Sequence, residues 1–181
     1  MKLKPREKRE RLFKKSRPLI RPVQFYDGDQ YHNDIKIMWV AHSKNQWDAM
    51  PEGINQSEFV EQLMQFSNRS GLYIADDDNN SYKNGIGPVG VCQIFDHGWK
   101  VEPHVHFFPW ATPRNILRST VSFLHMMKYK KIGVCVVCAL KSSVPLFDKC
   151  TEYGVLFRSG MIAGGDPRGD EYIYSIRGKR Q

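Results

Sequence analysis

The stretch from His104 to Lys128, "HVHFFPWATPRNILRSTVSFLHMMK", constrains the fold more than any other part of the sequence. At its start apolar and polar side chains alternate, which predicts a half-buried β-strand. Pro109 then interrupts the strand, and apolar residues at helical spacing follow. Pro113 suits the first position of a helix, with Thr112 as its N-cap. The chain is therefore predicted to turn directly from a strand into an amphipathic helix.

The rest of the chain supplies strands and helices around this corner. Apolar runs and alternating patterns predict six further strands, and helical spacing appears in two segments before the corner and one after it. The predicted order is β, α, α, β, β, β, α, β, α, β, β, which is an α/β fold with a mixed sheet and helices on both faces. We divide the chain into an N-terminal arm, residues 1–17, and one domain, residues 18–181.

The net charge of the chain lies at its N-terminal end. The formal charge is +8, and residues 1–22 hold ten Lys or Arg against two Glu, so the remainder is neutral. Such a segment buries too little apolar surface to fold alone, and we expect an extended basic arm. It is either a solvated tail or a docking segment for nucleic acid or an acidic protein. The residues assigned to partner binding are Lys8, Arg9, Arg11, Leu12, Phe13, Lys14, Lys15 and Arg17.

Apolar residues in this segment lie close to the domain. They are Leu12, Phe13, Leu19 and Ile20. As possible anchors they favour a protein partner for residues 12–22, and they leave residues 1–11 open to nucleic acid. Deleting residues 2–22 is expected to leave a folded, nearly neutral domain that no longer joins its assembly.

Cysteine spacing and hydropathy exclude several classes of protein. Cys135 and Cys138 have the C-x-x-C spacing of zinc and redox sites. They fall in the apolar run "IGVCVVCAL", however, and residues three apart on a strand point to opposite faces. We therefore expect buried thiols in a reducing compartment and no metal site. No apolar run is long enough to span a membrane, and no apolar core follows the basic N-terminus as in a secretory signal.

Three polar side chains of the corner strand share one face, namely Glu102, His104 and His106. Packing or hydrogen bonding on the sheet is the simplest role for the two histidines. A substrate or partner surface is a second role, in which Glu102 or His104 offers a general base. A metal site is a third, but it needs a further carboxylate ligand where Trp110 stands, so we expect no metal.

From about Pro18 to Arg177 the predicted order resembles the GNAT superfamily of acyltransferases, in which a long helix follows the fourth strand. The stretch "PLFDKCTEYGVLFRSG" is similar to the last helix of that family and the strand after it. The resemblance implies a mainly antiparallel sheet and, for an active enzyme, acetyl-CoA-dependent N-acetyl transfer. It then implies Glu102 or His104 as base and Tyr153 as acid. The cofactor contacts that it implies are Trp110, Ala111, Thr112, Arg114 and Asn115.

The corner departs from the family pattern. In GNAT enzymes a glycine-rich loop opens the long helix, and its backbone N–H groups bind the pyrophosphate of the cofactor. Here no glycine occurs from Phe107 to the end of the helix, and Pro109 and Pro113 have no N–H. Cys150 occupies the position at which that family usually has the tyrosine that acts as general acid. We therefore expect no catalytic residues and no tight binding of acetyl-CoA, and we expect Trp110 to pack between the sheet and the helix.

The stretch "HVHFFPWATPRNILRSTVSFL" resembles more narrowly the GNAT-like head-assembly and internal virion proteins of tailed bacteriophages. These look like acetyltransferases without the cofactor loop. The resemblance implies a virion structural or assembly protein, in the virion or the host cytoplasm, which needs no cofactor. Its partners would be capsid, portal or tail proteins, with nucleic-acid contact by the arm. The alternatives are an active N-acyltransferase and a nucleic-acid-binding accessory protein.

Overall fold

The computed structural model describes residues 3–23, 25, 28–69, 71–82, 85–96, 101–129 and 135–176. The elements follow one another as α1 (Pro5–Leu12), β1 (Leu19–Pro22), α2 (Gly28–Lys44), α3 (Gln56–Arg69), β2 (Gly71–Tyr82), β3 (Gly85–Asp96), β4 (Val101–Phe107), α4 (Pro113–Tyr129), β5 (Cys135–Leu140), α5 (Val144–Glu152), β6 (Phe157–Asp166) and β7 (Gly169–Ile176). From β1 onward this order is the one predicted from the sequence.

The strands form one sheet in the order β1-β2-β3-β4-β5-β7-β6. The first four strands pair as consecutive antiparallel neighbours, and β5, β7 and β6 form a second antiparallel group. The two groups meet where β4 and β5 run parallel. Parallel neighbours need a crossover connection, and α4 provides it. The predicted mixed, mainly antiparallel sheet is therefore confirmed.

Helices cover both faces of the sheet, and each face has its own apolar core. On one face Met38 of α2 and Phe59 of α3 pack with Val91 of β3. On the other face Leu124 of α4 packs with residues of α5 and β7, such as Tyr174. Alternation along the strands explains this division, because neighbouring residues of a strand point to opposite faces.

Cys135 and Cys138 lie on β5, so the predicted strand is confirmed. Their side chains fall outside the described residues, and burial of these two thiols stays a prediction. Cys92 and Cys150 are buried and have reduced side chains. Within the described ranges, no helix is long and apolar enough to cross a membrane.

The N-terminal segment differs from the predicted extended arm, because Pro5–Leu12 forms the helix α1. Leu12 and Phe13 pack against the core beneath α4 and α5. Lys8 forms an ion pair of 2.8 Å with Glu152 at the end of α5. The prediction of an extended arm was wrong because it treated the segment alone, whereas contacts with the domain stabilise the helix.

Arg118 on α4 connects this segment to the sheet. Its side chain is 2% exposed, and its Nε lies 2.8 Å from a carboxylate oxygen of Asp77 on β2, which is fully buried. Its two terminal nitrogens donate hydrogen bonds to the carbonyl oxygens of Leu12, at 2.6 Å, and Ser16, at 2.9 Å. A buried charge is tolerated only when it is paired and hydrogen-bonded, and here the N-terminal segment supplies part of that pairing.

Replacing Arg118 with Met is expected to destabilise the protein by about 3–5 kcal/mol, because it leaves the buried Asp77 without its cation. Urea unfolding followed by circular dichroism measures the loss. The control is Arg6→Met, which removes an exposed i,i+4 ion pair with Glu10 and is expected to cost less than about 1 kcal/mol. Equal losses in the two variants would contradict a structural role for the buried pair.

Deleting residues 2–22 now has a different expected outcome from the one inferred from sequence. The deletion removes β1, which pairs with β2, and the carbonyl groups that Arg118 binds. We expect the truncated domain to melt well below the full chain, by more than the 2–4 °C that about 1 kcal/mol gives in a domain of this size. A thermal scan checks this. An unchanged melting temperature would support the expectation from sequence that residues 23–181 form a folded domain without the N-terminal segment.

Candidate functional site

The parallel strands β4 and β5 separate almost as soon as they meet. Their pairing is recorded at Val101 and Cys135, which are the first residues of the two strands. Within the described residues, the remainder of β4 has no strand partner on the side that faces β5. An edge of β4 that lacks a strand partner among the described residues therefore borders an opening inside the sheet.

Two cavities lie at this opening, on opposite faces of the sheet. The larger has a volume of about 440 Å³ and is bordered by residues 45–49, β4, the start of α5 and the β6–β7 turn. The smaller is apolar, with a volume of about 30 Å³, and lies against α4. The residues that line both cavities are Pro103, Val105, Phe107 and Phe147. The two cavities thus adjoin the same edge of β4, with Phe147 between them.

Glu102 and His104 line the larger cavity, as their shared strand face predicted. His104 Nε2 lies 3.3 Å from Glu102 Oε1, and the glutamate side chain is 19% exposed whereas the imidazole is 55% exposed. The carboxylate therefore orients an accessible imidazole. This arrangement can take a proton from a bound molecule and stabilise the resulting imidazolium.

His106 also lines the larger cavity, two residues further along β4. Its ring stacks on Trp47, with the ring centres 5.5 Å apart and the planes inclined by 21°. The Nε2 atom is buried and has no hydrogen-bond partner among the described residues. Burial lowers the pKa of His106 to about 4, so the ring is neutral at pH 7. Packing on the sheet, which the sequence favoured, is confirmed, and the ring also adds a neutral polar group to the cavity wall.

Charged residues from two distant loops complete the rim of the larger cavity. Arg168 lies in the β6–β7 turn and places Nη1 3.4 Å from Oδ2 of Asp48, which precedes α3. Glu171 on β7 also borders the cavity. No sequence pattern indicates that these residues belong to one site. Asp48 and Arg168 are 120 positions apart, and only the tertiary fold brings them together.

At the corner before α4 the predicted helix start is confirmed. The N–H of Asn115 donates to Oγ1 of Thr112 at 3.3 Å, which is an N-cap contact. The N–H of Ala111 donates to the carbonyl of Phe108 at 2.9 Å. Pro113 has no N–H, and the side chain of Arg114 is exposed. The N–H groups of Ala111 and Asn115 are therefore used to close the turn and cap the helix.

Trp110 packs on the side opposite to the one expected. Its Nε1 donates to the carbonyl of Pro88 on β3 at 2.9 Å, and its ring lies 5.2 Å from that of Phe108. Both rings belong to the core under α2 and α3, and Lys44 of α2 lies 6.0 Å from the Trp110 ring centre. The expectation that Trp110 packs between the sheet and α4 was wrong, because the turn keeps it on the same side as Phe108.

None of the described residues that line the larger cavity is a tyrosine or a cysteine. Cys150 is fully buried on α5, and burial raises the pKa of its thiol to about 12. Tyr153 lies just after α5 and accepts a hydrogen bond from Arg9 through its carbonyl oxygen. Tyr174 donates its hydroxyl to Asp148 at 2.7 Å. The role of Tyr153 as an acid stays a prediction, and the structure places it beside α1.

The residues assigned to partner binding divide into two groups. Those that contact the domain are Lys8, Arg9, Leu12 and Phe13. Arg11, Lys14, Lys15 and Arg17 are exposed, and of these Arg17 also contacts His125 on α4. No three His, Cys, Asp or Glu side chains within the described part of the chain are placed to hold a metal ion.

No family model matches this sequence, and no curated protein does. Solved structures do share its fold. The spermidine N-acetyltransferase of Vibrio cholerae, in complex with CoA and spermine, has a TM-score of 0.61 at 10% identity, over 88% of this chain and 95% of that one. The ribosomal-protein-S5-alanine acetyltransferase of Vibrio fischeri has a TM-score of 0.63 at 11% identity, over 88% and 92%.

A Bordetella pertussis protein assigned to the GNAT acetyltransferase family has a TM-score of 0.59 at 10% identity, covering 89% of this chain and 96% of that one. The fold of this chain is therefore the GNAT-like α/β fold that the sequence resemblance implied. At such low identity the similarity concerns the fold alone. It does not test the resemblance to phage head-assembly proteins.

Stability is expected to fall between pH 6.5 and pH 4 because of His106. Its pKa is lowered in the folded state, so the unfolded chain binds the proton first as the pH drops. The loss over this interval is expected to be about 2 kcal/mol after allowance for partial exposure of the ring. Denaturant unfolding at several pH values should show that the free energy of unfolding depends less on pH in His106→Phe, which keeps the stack on Trp47. Equal slopes in wild type and variant would contradict this.

Proposed function

We propose that this chain is an acyltransferase that moves an acyl group from a thioester to an amine at the opening between β4 and β5. The observation that carries the proposal is the divergence of these strands after one residue pair, beside a polar cavity of about 440 Å³. A passage through the sheet allows a donor and an acceptor to approach from opposite faces. The solved structures with this fold named above are acetyltransferases, which supports the proposal.

The larger cavity suits the amine. Its carboxylates are Asp48, Glu102 and Glu171, and Arg168 is the cation at its rim. An excess of negative charge attracts an alkylammonium ion and raises its local concentration. His106 presents a neutral ring on the same wall, which adds no repulsion to a cationic substrate.

Proton removal is assigned to Glu102 and His104. An amine attacks a carbonyl only in its neutral form, so the bound ammonium must first lose a proton. His104 is the accessible group that accepts this proton, and Glu102, 3.3 Å away, stabilises the charged imidazole. The sequence offered these two residues as alternative bases, and in the proposed site they act as a pair.

The fit to acyl-CoA is good for one part of that molecule and poor for another. The pantetheine arm is an extended chain with amide groups, and the unpaired edge of β4 can bind it as a strand binds its neighbour. When bound, acyl-CoA supplies the thioester carbonyl. At the start of α4, however, the N–H groups of Ala111 and Asn115 are already hydrogen-bonded and Pro113 has none. Arg114 is then the group left there for the diphosphate.

The apolar side of the opening also limits the donor. The cavity against α4 has about 30 Å³, which is close to the volume of one water molecule. Phe147 borders both cavities, so it must move before an acyl chain can pass. We therefore propose weak donor binding, with a dissociation constant above the micromolar range, as the glycine-free corner predicted.

A second candidate is a non-catalytic role, as a virion structural or assembly protein that docks on other proteins of the particle. The observation that favours it is the same corner, where proline and hydrogen-bonded amides replace a diphosphate site. The partners, and the location in a virion or host cytoplasm, stay predictions under this candidate.

The transferase proposal is tested by thiol release from acetyl-CoA in the presence of a primary diamine. We expect turnover in the wild type and a decrease in kcat of about 100-fold or more in His104→Gln, because a general base typically contributes that much. Glu61→Gln, an exposed change on α3, is the matched control and is expected to retain full activity. Absence of turnover together with absence of acetyl-CoA binding at millimolar concentration would reject the transferase and favour the second candidate.

A further inference from the structure

Positive side chains of α1 and α4 crowd around one histidine on the outer surface of the domain. Arg17 Nη2 lies 3.3 Å from Nδ1 of His125 on α4. Burial lowers the pKa of His125, and the nearby charges of Arg17, Arg9 and Lys128 lower it further. These cations are therefore close enough to repel an additional positive charge at His125. An anion at this place would relieve the repulsion.

The carboxylates that could neutralise these cations are already engaged elsewhere. Glu10 pairs with Arg6 at 2.9 Å, and Glu152 pairs with Lys8 and Lys149. Arg17 and Lys128 lie beside His125, and Arg11, Lys14 and Lys15 are exposed cations that precede Arg17 in the chain. We call these five residues the basic surface. Within the described residues, none of these five forms a salt bridge with a carboxylate. The surface therefore carries uncompensated charge.

Apolar anchors are largely missing from this surface. Between residues 12 and 22, three of the four large apolar residues pack against the domain, namely Leu12, Phe13 and Ile20. Leu19 is the one that stays exposed, at 59%. A protein partner gains most of its affinity from buried apolar or aromatic anchors, and a single leucine offers little of that. The sequence-based preference for a protein partner of residues 12–22 thus loses its main support.

We propose that the basic surface binds the phosphate backbone of nucleic acid without regard to base sequence. Attachment of α1 through Lys8 and Leu12 holds the surface cations in a fixed arrangement, which lowers the entropy cost of binding. Phosphate contacts carry no sequence information by themselves, so affinity comes from neutralised charge and released counterions. The surface is independent of the opening between β4 and β5.

Binding is measured by fluorescence anisotropy with the full-length protein and a labelled 20-base-pair DNA duplex of arbitrary sequence. We expect affinity to fall on the order of 100-fold between 50 and 200 mM salt, as about four neutralised phosphates require. A second duplex of different sequence is expected to bind equally well. Absence of binding at 50 mM salt would overturn the proposal.

The variant Arg17→Gln/Lys128→Gln is expected to weaken binding about tenfold or more and to reduce the salt slope by about 2. The control Lys36→Gln/Lys141→Gln removes the same charge at exposed sites outside the basic surface and is expected to keep the slope. Equal losses in the two variants would show a diffuse effect of net charge and reject the site.

A replacement variant and a competition experiment complete the test of nucleic-acid binding. If Arg17→Gln/Lys128→Gln does not fold, Lys14→Gln/Lys15→Gln replaces it, because both side chains are exposed, and it must show the same loss of slope. Competition with polyglutamate distinguishes nucleic acid from an acidic protein. If polyglutamate displaces the duplex at equal charge concentration, the surface recognises carboxylates and the proposal is wrong.

Discussion

The buried guanidinium of Arg118 is the interaction on which the arrangement of the N-terminal half depends. Its side chain is 2% exposed, and its partners come from β2, from the last residue of α1 and from the segment between α1 and β1. A charge in such a place is acceptable only when its donors are satisfied together. Because Asp77 and the carbonyls of Leu12 and Ser16 must all reach one side chain, α4, the sheet and the N-terminal segment are fixed relative to one another.

Local patterns in the sequence were sufficient for most of the fold. Strand alternation around His104, and Thr112 and Pro113 at a helix start, depend on near neighbours, so the sequence contains them directly. The arrangement of Arg118 could not be read in this way, since an arginine in an amphipathic helix is normally exposed. The same holds for Asp48 and Arg168, which only the folded chain brings together. The prediction for Trp110 was wrong because no local sequence pattern decides on which face of the sheet a turn residue packs.

The two sides of β4 have different chemical character. One side presents Glu102, His104 and His106 to an open polar cavity, whereas the other is apolar and nearly filled. An acceptor can therefore be bound without rearrangement, but a donor requires movement of Phe147. This asymmetry is consistent with a transferase of weak donor affinity, and it also describes a scaffold from which the donor site has been lost.

Among the described residues β4 and β5 pair at one position, so the sheet consists of two half-sheets, residues 19–107 and 135–176, with a short seam between them. Backbone hydrogen bonds stop at this seam, so the packing of side chains sets the width of the opening. Phe147 of α5 and Phe123 and Leu124 of α4 are among those side chains. Single substitutions at such positions are expected to widen or narrow the opening without altering any strand pairing. A chain with this architecture can therefore gain or lose a ligand site in evolution while its fold stays the same.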